Sequence, residues 1–247
     1  GYDVQVLERL GAAGGRAYVH RRHGFTFDAG PTIITAPFLL EELWTLCGKK
    51  MSDDVDLRAM DPFYQIRFAD GRVFNYTGDL ERMKAEIAKF SPKDLPGYLR
   101  FLEEAELCYK LGFEDLGDVA FDSIKDLIKA VPNLIKKRYW NTLYNLVTKH
   151  IQDPQLRQVL SFHPLLIGGN PFSVTRTYAL INSLESKWGV HSAMGGTGSI
   201  IAGLVGLLNG LGVSIRYAST VKKINIVDNK VTGVTLLSTI LIFLTVL

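Results

Sequence analysis

The feature that most limits the fold is a short strand near the start of the chain that ends in an acid and leads into a glycine-rich turn. Residues 4–8, VQVLE, are typical of a buried parallel strand that ends in Glu8. In a dinucleotide fold, an acid at such a strand end accepts hydrogen bonds from ribose hydroxyls. The chain continues into Gly14, Gly15 and Arg16. Paired glycines can bring bare N–H groups close to an anion, and arginine adds a fork of donors, so this order predicts a nucleotide-binding domain.

A second tight turn follows at residues 28–32, with the sequence DAGPT. Its backbone could approach a flat ring or a phosphate closely. The alternative is that Glu8 is a solvated strand end and the paired glycines an ordinary loop, and for Glu8 alone this alternative is preferred. The three features in this order favour a bound dinucleotide over unrelated turns.

Strand-like sequence lies at both ends of the chain and encloses a helical middle. This arrangement predicts an α/β fold, in which an inserted helical domain separates the two sequence halves of the nucleotide-binding domain. The predicted elements are a helix between Thr35, as its cap, and Gly48, a hairpin of residues 63–68 and 72–76 around Asp70-Gly71, helices over 80–150, an apolar helix at 199–211, and strands at 213–217, 221–227 and 231–236.

Composition excludes several classes of function. The net charge of +3 is too small to indicate nucleic-acid binding, and neither an arginine-rich arm nor the ligand spacing of a metal site is present. Two cysteines far apart favour a reducing interior over a disulfide framework. The chain starts without a signal-peptide pattern, so a cytoplasmic location is expected.

These motifs resemble those of a known family. The stretches VLERLGAAGGRA and GFTFDAGPT resemble the FAD-binding start of the bacterial-type phytoene desaturases, a carotenoid branch of the flavin amine-oxidase superfamily. The resemblance continues in RVFNYTGD, LRQVLSFHPLLIGGNPF and KWGVHSAMGGTGSIIAGL and covers about residues 1–236. The first motif is shared by many flavin amine oxidases, whereas its pairing with SFHPLLIGGNPF and WGV…GGTG is more specific to carotene desaturases.

The resemblance implies FAD as the cofactor and a partial FAD-binding Rossmann-like domain with an inserted helical domain for substrate and membrane. It implies four segments: 1–80 as the N-terminal part of the FAD-binding domain with a hairpin extension, 81–190 as the helical domain, 191–236 as the return to the FAD-binding domain, and 237–247 as an apolar tail. The implied cofactor contacts are Glu8 with the ribose, Gly14, Gly15 and Arg16 with the pyrophosphate, Asp28, Ala29, Gly30, Pro31 and Thr32 with the flavin end, and the Val221 backbone with the adenine. For Val221, a buried strand valine is the alternative.

The activity implied by the resemblance is desaturation of phytoene, a C40 polyene, with hydride transfer to the flavin. The alternatives are a diapophytoene desaturase, a carotene isomerase, or a truncated product without activity. Asp153 and Arg157 lie one helical turn apart and are the candidate catalytic acid and cation near the substrate, with a surface helix pair as the simpler alternative. His163 is flanked by apolar residues and is more typical of a core histidine than of a proton carrier.

The chain departs from the family pattern at both ends. The first strand and GxGxxG turn of the family are absent before Gly1, and residues 237–247 match none of the family's C-terminal half. A fragment that binds FAD weakly or not at all and does not desaturate phytoene by itself is therefore expected. The tail is either a buried strand or sequence foreign to the fold, since it is too short to span a membrane.

Residues 123–150 combine positive charge with apolar and aromatic side chains. This composition is typical of a segment that lies on a membrane surface, and it predicts peripheral membrane association. An ordinary helical domain with a solvated basic face is the alternative. The cations are Lys125, Lys129, Lys136, Lys137, Arg138 and Lys149, against the single acid Asp126.

Overall fold

The structure is a computed structural model that describes residues 2–117, 120, 141–237 and 241–243. The chain divides into two compact units, one formed by Gly1–Arg58 with His191–Leu247 and the other by Ala59–Val190. The second unit is one continuous stretch of sequence, and in chain order it falls between the two segments that make up the first.

Helices and strands alternate along the described residues. The strands are β1 (Gln5–Leu7), β2 (Val19–Arg22), β3 (Phe25–Asp28), β4 (Leu57–Ala59), β5 (Tyr64–Arg67), β6 (Val73–Tyr76), β7 (His191–Ala193), β8 (Ser214–Arg216), β9 (Val221–Val227), β10 (Lys230–Leu236) and β11 (Leu241–Phe243). The helices are α1 (Pro37–Leu46), α2 (Leu80–Phe90), α3 (Leu95–Tyr109), α4 (Leu143–His150), α5 (Pro154–Ser161), α6 (Leu180–Trp188) and α7 (Thr197–Gly210), with shorter turns such as Gly15–Ala17, His163–Ile167 and Arg176–Ala179.

In the first unit, β1 pairs in parallel with β8, and this confirms the predicted parallel strand. The prediction that this strand is buried was wrong, because Val6 is 37% exposed. Among the residues that the structure describes, β8 is the only strand paired with β1. A strand with one neighbour leaves its other edge open to solvent.

The strands near the end of the chain form an antiparallel sheet in the order β11-β10-β9. Asp228 and Asn229 connect β9 to β10 with φ values of 49° and 58°, the left-handed conformation that a two-residue hairpin turn requires. Within the apolar tail, β11 pairs with β10, as expected of a strand. Residues 238–240 and 244–247 lie outside the described part of the chain.

Helices α1 and α7 of this unit share a small apolar core. Trp44 is fully buried, and its indole N–H donates to Asp54 at 2.7 Å. The helix predicted between Thr35 and Gly48 is present, but Thr35 is not its cap. The helix begins at Pro37 and Ala36 is the capping residue, because the ring of a proline holds the residue before it in an extended conformation. The core residues are Trp44, Met51, Val55, Ala193, Ile200 and Leu207.

The second unit has the larger core, formed by α2–α6 and the β5–β6 hairpin. The predicted hairpin is confirmed, with Gly71 at a φ of 86° in its turn. The predicted helices are confirmed over α2, α3 and α4, whereas residues 118–119 and 121–140 lie outside the described residues. Phe74 and Phe101 are fully buried, and each such side chain contributes roughly 1.5–3 kcal/mol.

Candidate functional site

The loop after β1 is held in place by backbone hydrogen bonds. The Glu8 N–H donates to the Arg216 carbonyl at 2.9 Å, and the Ser219 N–H donates to the Glu8 carbonyl at 2.8 Å. The Glu8 side chain turns back onto its own loop, where Oε1 accepts a hydrogen bond from the Leu10 N–H at 2.6 Å. Across the described residues, Oε2 has no hydrogen-bond partner, so it is available to accept from a ligand.

The paired glycines make the tight turn that their sequence predicted. Gly14 has a φ of 129° and Gly15 a φ of 52°, and a short 3-10 helix begins at Gly15. The Ala17 N–H donates to the Gly14 carbonyl at 2.7 Å. A Cβ on Gly14 would lie 3.1 Å from the Ala17 carbonyl oxygen, so a side chain there would crowd a turn that already requires glycine.

The second turn packs directly on the first. Val19 of β2 pairs with Asp28 of β3, and the Ala29 N–H donates to the Tyr18 carbonyl at 3.0 Å. A Cβ on Gly30 would lie 2.7 Å from the Cα of Ala17. The structure therefore brings Gly14, Gly15 and Arg16 together with residues 28–32, as one ligand would require.

Asp28 has a structural role that the sequence did not reveal. Its Oδ2 accepts a hydrogen bond from the Thr197 N–H at 3.2 Å, at the start of α7. The Thr197 hydroxyl in turn donates to the Pro31 carbonyl at 3.0 Å. Gly196 has a φ of 78°, and a Cβ there would overlap the Asp28 carboxylate. Asp28 Oδ1 is buried without a hydrogen-bond partner in the described structure.

Two concave surfaces border these turns. One is an open groove of about 460 Å³, and the other a smaller cavity of about 170 Å³. The groove is lined by Leu10, Gly11, Gly15, Arg16, Tyr18, His20 and Ala29. The cavity is lined by Asp28, Pro31, Thr32, Ser192, Ala193, Gly196, Thr197 and Ile200. The turn at 28–32 thus contributes to both.

Val221 begins β9, directly after a loop that is bonded to the Glu8 region. Just before it, the Ala218 N–H donates to the Leu10 carbonyl at 2.9 Å, and Ser219 is bonded to Glu8. The Val221 side chain is 41% exposed, so the alternative of a buried strand valine was wrong. The structure places Val221 two residues beyond the contact with Glu8.

Comparison with known proteins decides the family. A family model described as flavin containing amine oxidoreductase matches residues 1–239. The chain belongs to the flavin-containing amine oxidoreductase family. The expected flavin cofactor is thereby confirmed at the level of the family.

Two phytoene desaturases are among the curated proteins that the chain resembles. The chain is 42% identical to the phytoene desaturase (lycopene-forming) of Pantoea ananas over 95% of its own length and 48% of that protein. It is 41% identical to the phytoene desaturase (neurosporene-forming) of Cereibacter sphaeroides over 96% of its length and 46% of that protein. The chain thus spans about half the length of the curated relatives it matches.

Solved structures of low sequence identity share the fold of this chain. A putrescine oxidase variant redesigned in cofactor binding superposes with a TM-score of 0.58 at 14% identity, over 95% of this chain and 48% of that one. At such low identity the likeness concerns the fold alone. It confirms the amine-oxidase fold with mixed helices and strands that the sequence predicted.

The predicted catalytic pair lies in the other unit, Asp153 directly before α5 and Arg157 within it. Asp153 caps the helix, since its Oδ1 accepts from the Gln155 N–H at 2.8 Å and the Leu156 N–H at 2.9 Å. Arg157 Nε donates to the Ile151 carbonyl at 2.8 Å. Both side chains therefore bind backbone groups, and within the described residues no ion pair joins them.

The same unit contains a buried polar network that the sequence did not predict. His163 and Glu185 are fully buried, as expected for a core histidine, and His163 Nε2 lies 3.0 Å from Glu185 Oε2. The Tyr64 hydroxyl donates to Glu185 Oε1 at 2.6 Å, and burial together with this carboxylate raises the Tyr64 pKa well above its ordinary value. Because these residues are far apart in sequence, no local pattern could reveal the network.

The basic segment is described only in part. Lys125, Lys129, Lys136, Lys137 and Arg138 lie outside the described residues, whereas Lys149 Nζ lies 2.9 Å from Glu104 Oε1. Arg176 also pairs with Glu104. Burial opposes the charge on Glu104, but the two cations outweigh it and lower the pKa of this carboxyl.

No helix within the described ranges combines the length and apolar character that crossing a bilayer requires.

Proposed function

We propose that the protein carrying this chain catalyses the FAD-dependent desaturation of phytoene. The observation that carries the proposal is the packing of the double-glycine turn against the turn at 28–32, beside the Glu8 loop. The similarity to proteins named phytoene desaturases supports this substrate.

The residues of the first unit fit a dinucleotide. Oε2 of Glu8 would accept hydrogen bonds from the ribose hydroxyls, while Oε1 accepts a hydrogen bond from the Leu10 N–H. Gly15, next to Gly14 in the turn, leaves its part of the groove wall without a side chain, and exposed Arg16 lines the same groove as a donor to pyrophosphate. Val221 follows the loop bonded to Glu8, on the adenosine side of the proposed site.

The turn at 28–32 would lie next to the flavin end of the bound FAD. Asp28 holds this turn against the start of α7, and its buried Oδ1 remains without a partner until a ligand or water donates to it. Ala29 lines the larger groove, while Pro31 and Thr32 line the smaller cavity. When bound, FAD supplies the hydride acceptor, and the protein supplies binding, orientation and exclusion of water.

We propose that the inserted unit, Ala59–Val190, binds the substrate and contacts the membrane surface. Ala59–Val190 forms a compact unit between the two sequence segments of the other, and this supports the proposed insertion. Residues 123–150 would hold the protein on a membrane surface, where a C40 hydrocarbon resides. Asp153 and Arg157 remain the candidate pair near the substrate, and their hydrogen bonds support a role in shaping the start of α5.

A chimera tests the proposed function. Residues 1–236 would replace the matching segment of the Pantoea ananas phytoene desaturase, and the product would be expressed in bacteria that accumulate phytoene. We expect coloured, more conjugated carotenoids. A folded chimera that contains FAD but leaves phytoene unchanged would contradict the carotenoid assignment while leaving the family intact.

A further inference from the structure

The unit Ala59–Val190 exposes an apolar loop directly after α5. Residues 163–172 form a 3-10 turn followed by a Gly-Gly-Asn-Pro stretch. Four large apolar side chains in this short loop face solvent. They are Leu165 (60% exposed), Leu166 (42%), Ile167 (59%) and Phe172 (63%). Large apolar patches on a protein surface mark sites of contact with another molecule or a membrane.

The loop lies within a stretch that has no formal charge. Residues 158–175 contain no Asp, Glu, Lys or Arg, and the single titratable side chain, His163, is fully buried. Exposed segments in water usually include charged residues. A segment that enters hydrocarbon must exclude them, because a charge there is costly.

Several backbone groups of the loop are paired within the loop itself. Gly168 N–H donates to the Leu165 carbonyl at 3.1 Å, and Gly169 N–H donates to the Pro164 carbonyl at 2.8 Å. Asn170 provides the acceptors for the C-terminal half of the loop. Its side-chain oxygen accepts from the Phe172 N–H at 3.0 Å, and its carbonyl accepts from the Ser173 and Val174 N–H groups. Internal pairing of this kind is what a low-dielectric surrounding demands of a backbone.

The segment that contacts this loop follows the basic run of residues 136–138 in sequence. The Tyr144 N–H donates to the Pro171 carbonyl at 3.2 Å, and the rings of Tyr144 and Phe172 lie 4.5 Å apart. The Arg176 N–H donates to the Asn141 carbonyl at 2.7 Å. Asn141 follows closely in sequence after Lys136, Lys137 and Arg138. Cations beside an apolar patch complement anionic lipid headgroups over hydrocarbon.

We infer that residues 165–172 are a membrane-docking loop whose apolar side chains enter the acyl region of a bilayer with anionic headgroups. The inference rests on the proposed function, because a substrate dissolved in lipid requires the enzyme to reach the bilayer. Tyr144 supports Phe172 at the interface, where aromatic rings are favoured. The contribution of the loop is apolar, so salt does not screen it, whereas salt does screen the attraction of cations to lipid headgroups.

Vesicle co-sedimentation of the 247-residue chain tests the loop. The variant Leu165→Ser/Ile167→Ser removes two exposed side chains, and Leu46→Ser/Leu211→Ser removes two exposed leucines from the other unit as a matched control. On neutral and on phosphatidylserine-containing vesicles, we expect the loop variant to bind at least about tenfold more weakly, independently of salt. The control should bind like the unaltered chain.

A second measurement, fluorescence quenching of a single tryptophan, reports whether the loop enters the bilayer and does not depend on weakened vesicle binding. In a background where the native tryptophans are replaced by phenylalanine, Ile167→Trp should be quenched by brominated lipid, whereas Leu211→Trp should not. Absence of quenching at position 167, failure of the unaltered chain to bind vesicles, or equal binding by the loop variant and its control would each overturn the inference.

Desaturation by the chimera separates this inference from the proposed function. If the serine variant of the chimera keeps vesicle binding but loses desaturation, the loop contacts the polyene itself and the docking role is wrong. If vesicle binding is lost in a chimera that never desaturated phytoene, the docking loop stands and the proposed function is contradicted.

Discussion

Asp28 and Thr197 lie 169 positions apart in sequence, and the carboxylate of the first accepts a hydrogen bond from the backbone N–H of the second at 3.2 Å. Gly196, the capping residue of α7, has no side chain of its own for this purpose. Asp28 therefore caps α7 from β3 and fixes the turn at 28–32 against that helix. A carboxylate at this position also interacts favourably with the helix dipole.

Removal of this cap should destabilise the first unit. We expect Asp28→Ala to lower the free energy of unfolding by about 1–2 kcal/mol, because the Thr197 N–H loses its acceptor. Asp28→Asn retains an acceptor oxygen and should cost less. Urea unfolding followed by Trp44 fluorescence, with the other tryptophans replaced by phenylalanine, measures both. Equal stability of the alanine and asparagine variants would contradict the capping role.

The close approach of α3 and α4 should be sensitive to a single methyl group. A Cβ on Gly97 would overlap the His150 carbonyl oxygen, so we expect Gly97→Ala to force the helices apart and to cost about 1–3 kcal/mol. Gly206 in α7 has open space around its Cβ position, and Gly206→Ala should stabilise by about 0.5–1 kcal/mol. Thermal unfolding of the two variants is the measurement. A Gly97→Ala protein as stable as the unaltered chain would be inconsistent with this packing.

The stability of the second unit should depend on pH through the ionisation of Glu104. Its pKa is lowered in the folded state, so the unfolded chain binds the proton more readily, and the stabilisation is present above the ordinary glutamate pKa. It is lost as pH falls through the lowered folded pKa. We expect Glu104→Gln to be less stable at neutral pH and to lose less on acidification. Urea unfolding at a series of pH values checks this, and parallel curves for both proteins would disprove the assignment.

Membrane association should depend on the basic cluster as well as on the apolar loop. We expect Lys136→Glu/Lys137→Glu/Arg138→Glu to abolish binding to anionic vesicles at low salt, since each cation near such a surface contributes about 1 kcal/mol. Lys222→Glu/Lys223→Glu/Lys230→Glu, on exposed positions of β9 and β10, is the matched control. Unchanged sedimentation of the triple variant would remove residues 123–150 from the docking surface.

Local sequence predicted the parts of the fold that local chemistry decides. Asp70-Gly71 and Asp228-Asn229 both turn a hairpin, and Gly14 and Gly15 adopt the positive φ that their pairing favoured. The errors were also physical in origin. Residues 4–8 were expected to be buried because of their composition, but burial depends on neighbouring strands that a local pattern does not specify.

Long-range contacts could not be predicted from the sequence. Glu185 lies 121 positions from Tyr64, and nothing near either residue indicates the other. The same holds for Asp28 and Thr197, although Thr197 belongs to the motif GGTG at residues 195–198. Asp153 and Arg157 were paired because of helical spacing, whereas in the structure the backbone offers each a closer partner.

FAD affinity of the chimera tests the central claim, that the Glu8 loop and the two packed turns bind the dinucleotide. Glu8→Gln removes the charge that would accept the ribose hydroxyls, and Glu41→Gln changes an exposed glutamate of α1 as a control. By isothermal titration of the cofactor-stripped protein, we expect the Glu8 variant to bind FAD at least about tenfold more weakly than the Glu41 variant. Equal affinities of the two variants would contradict the account.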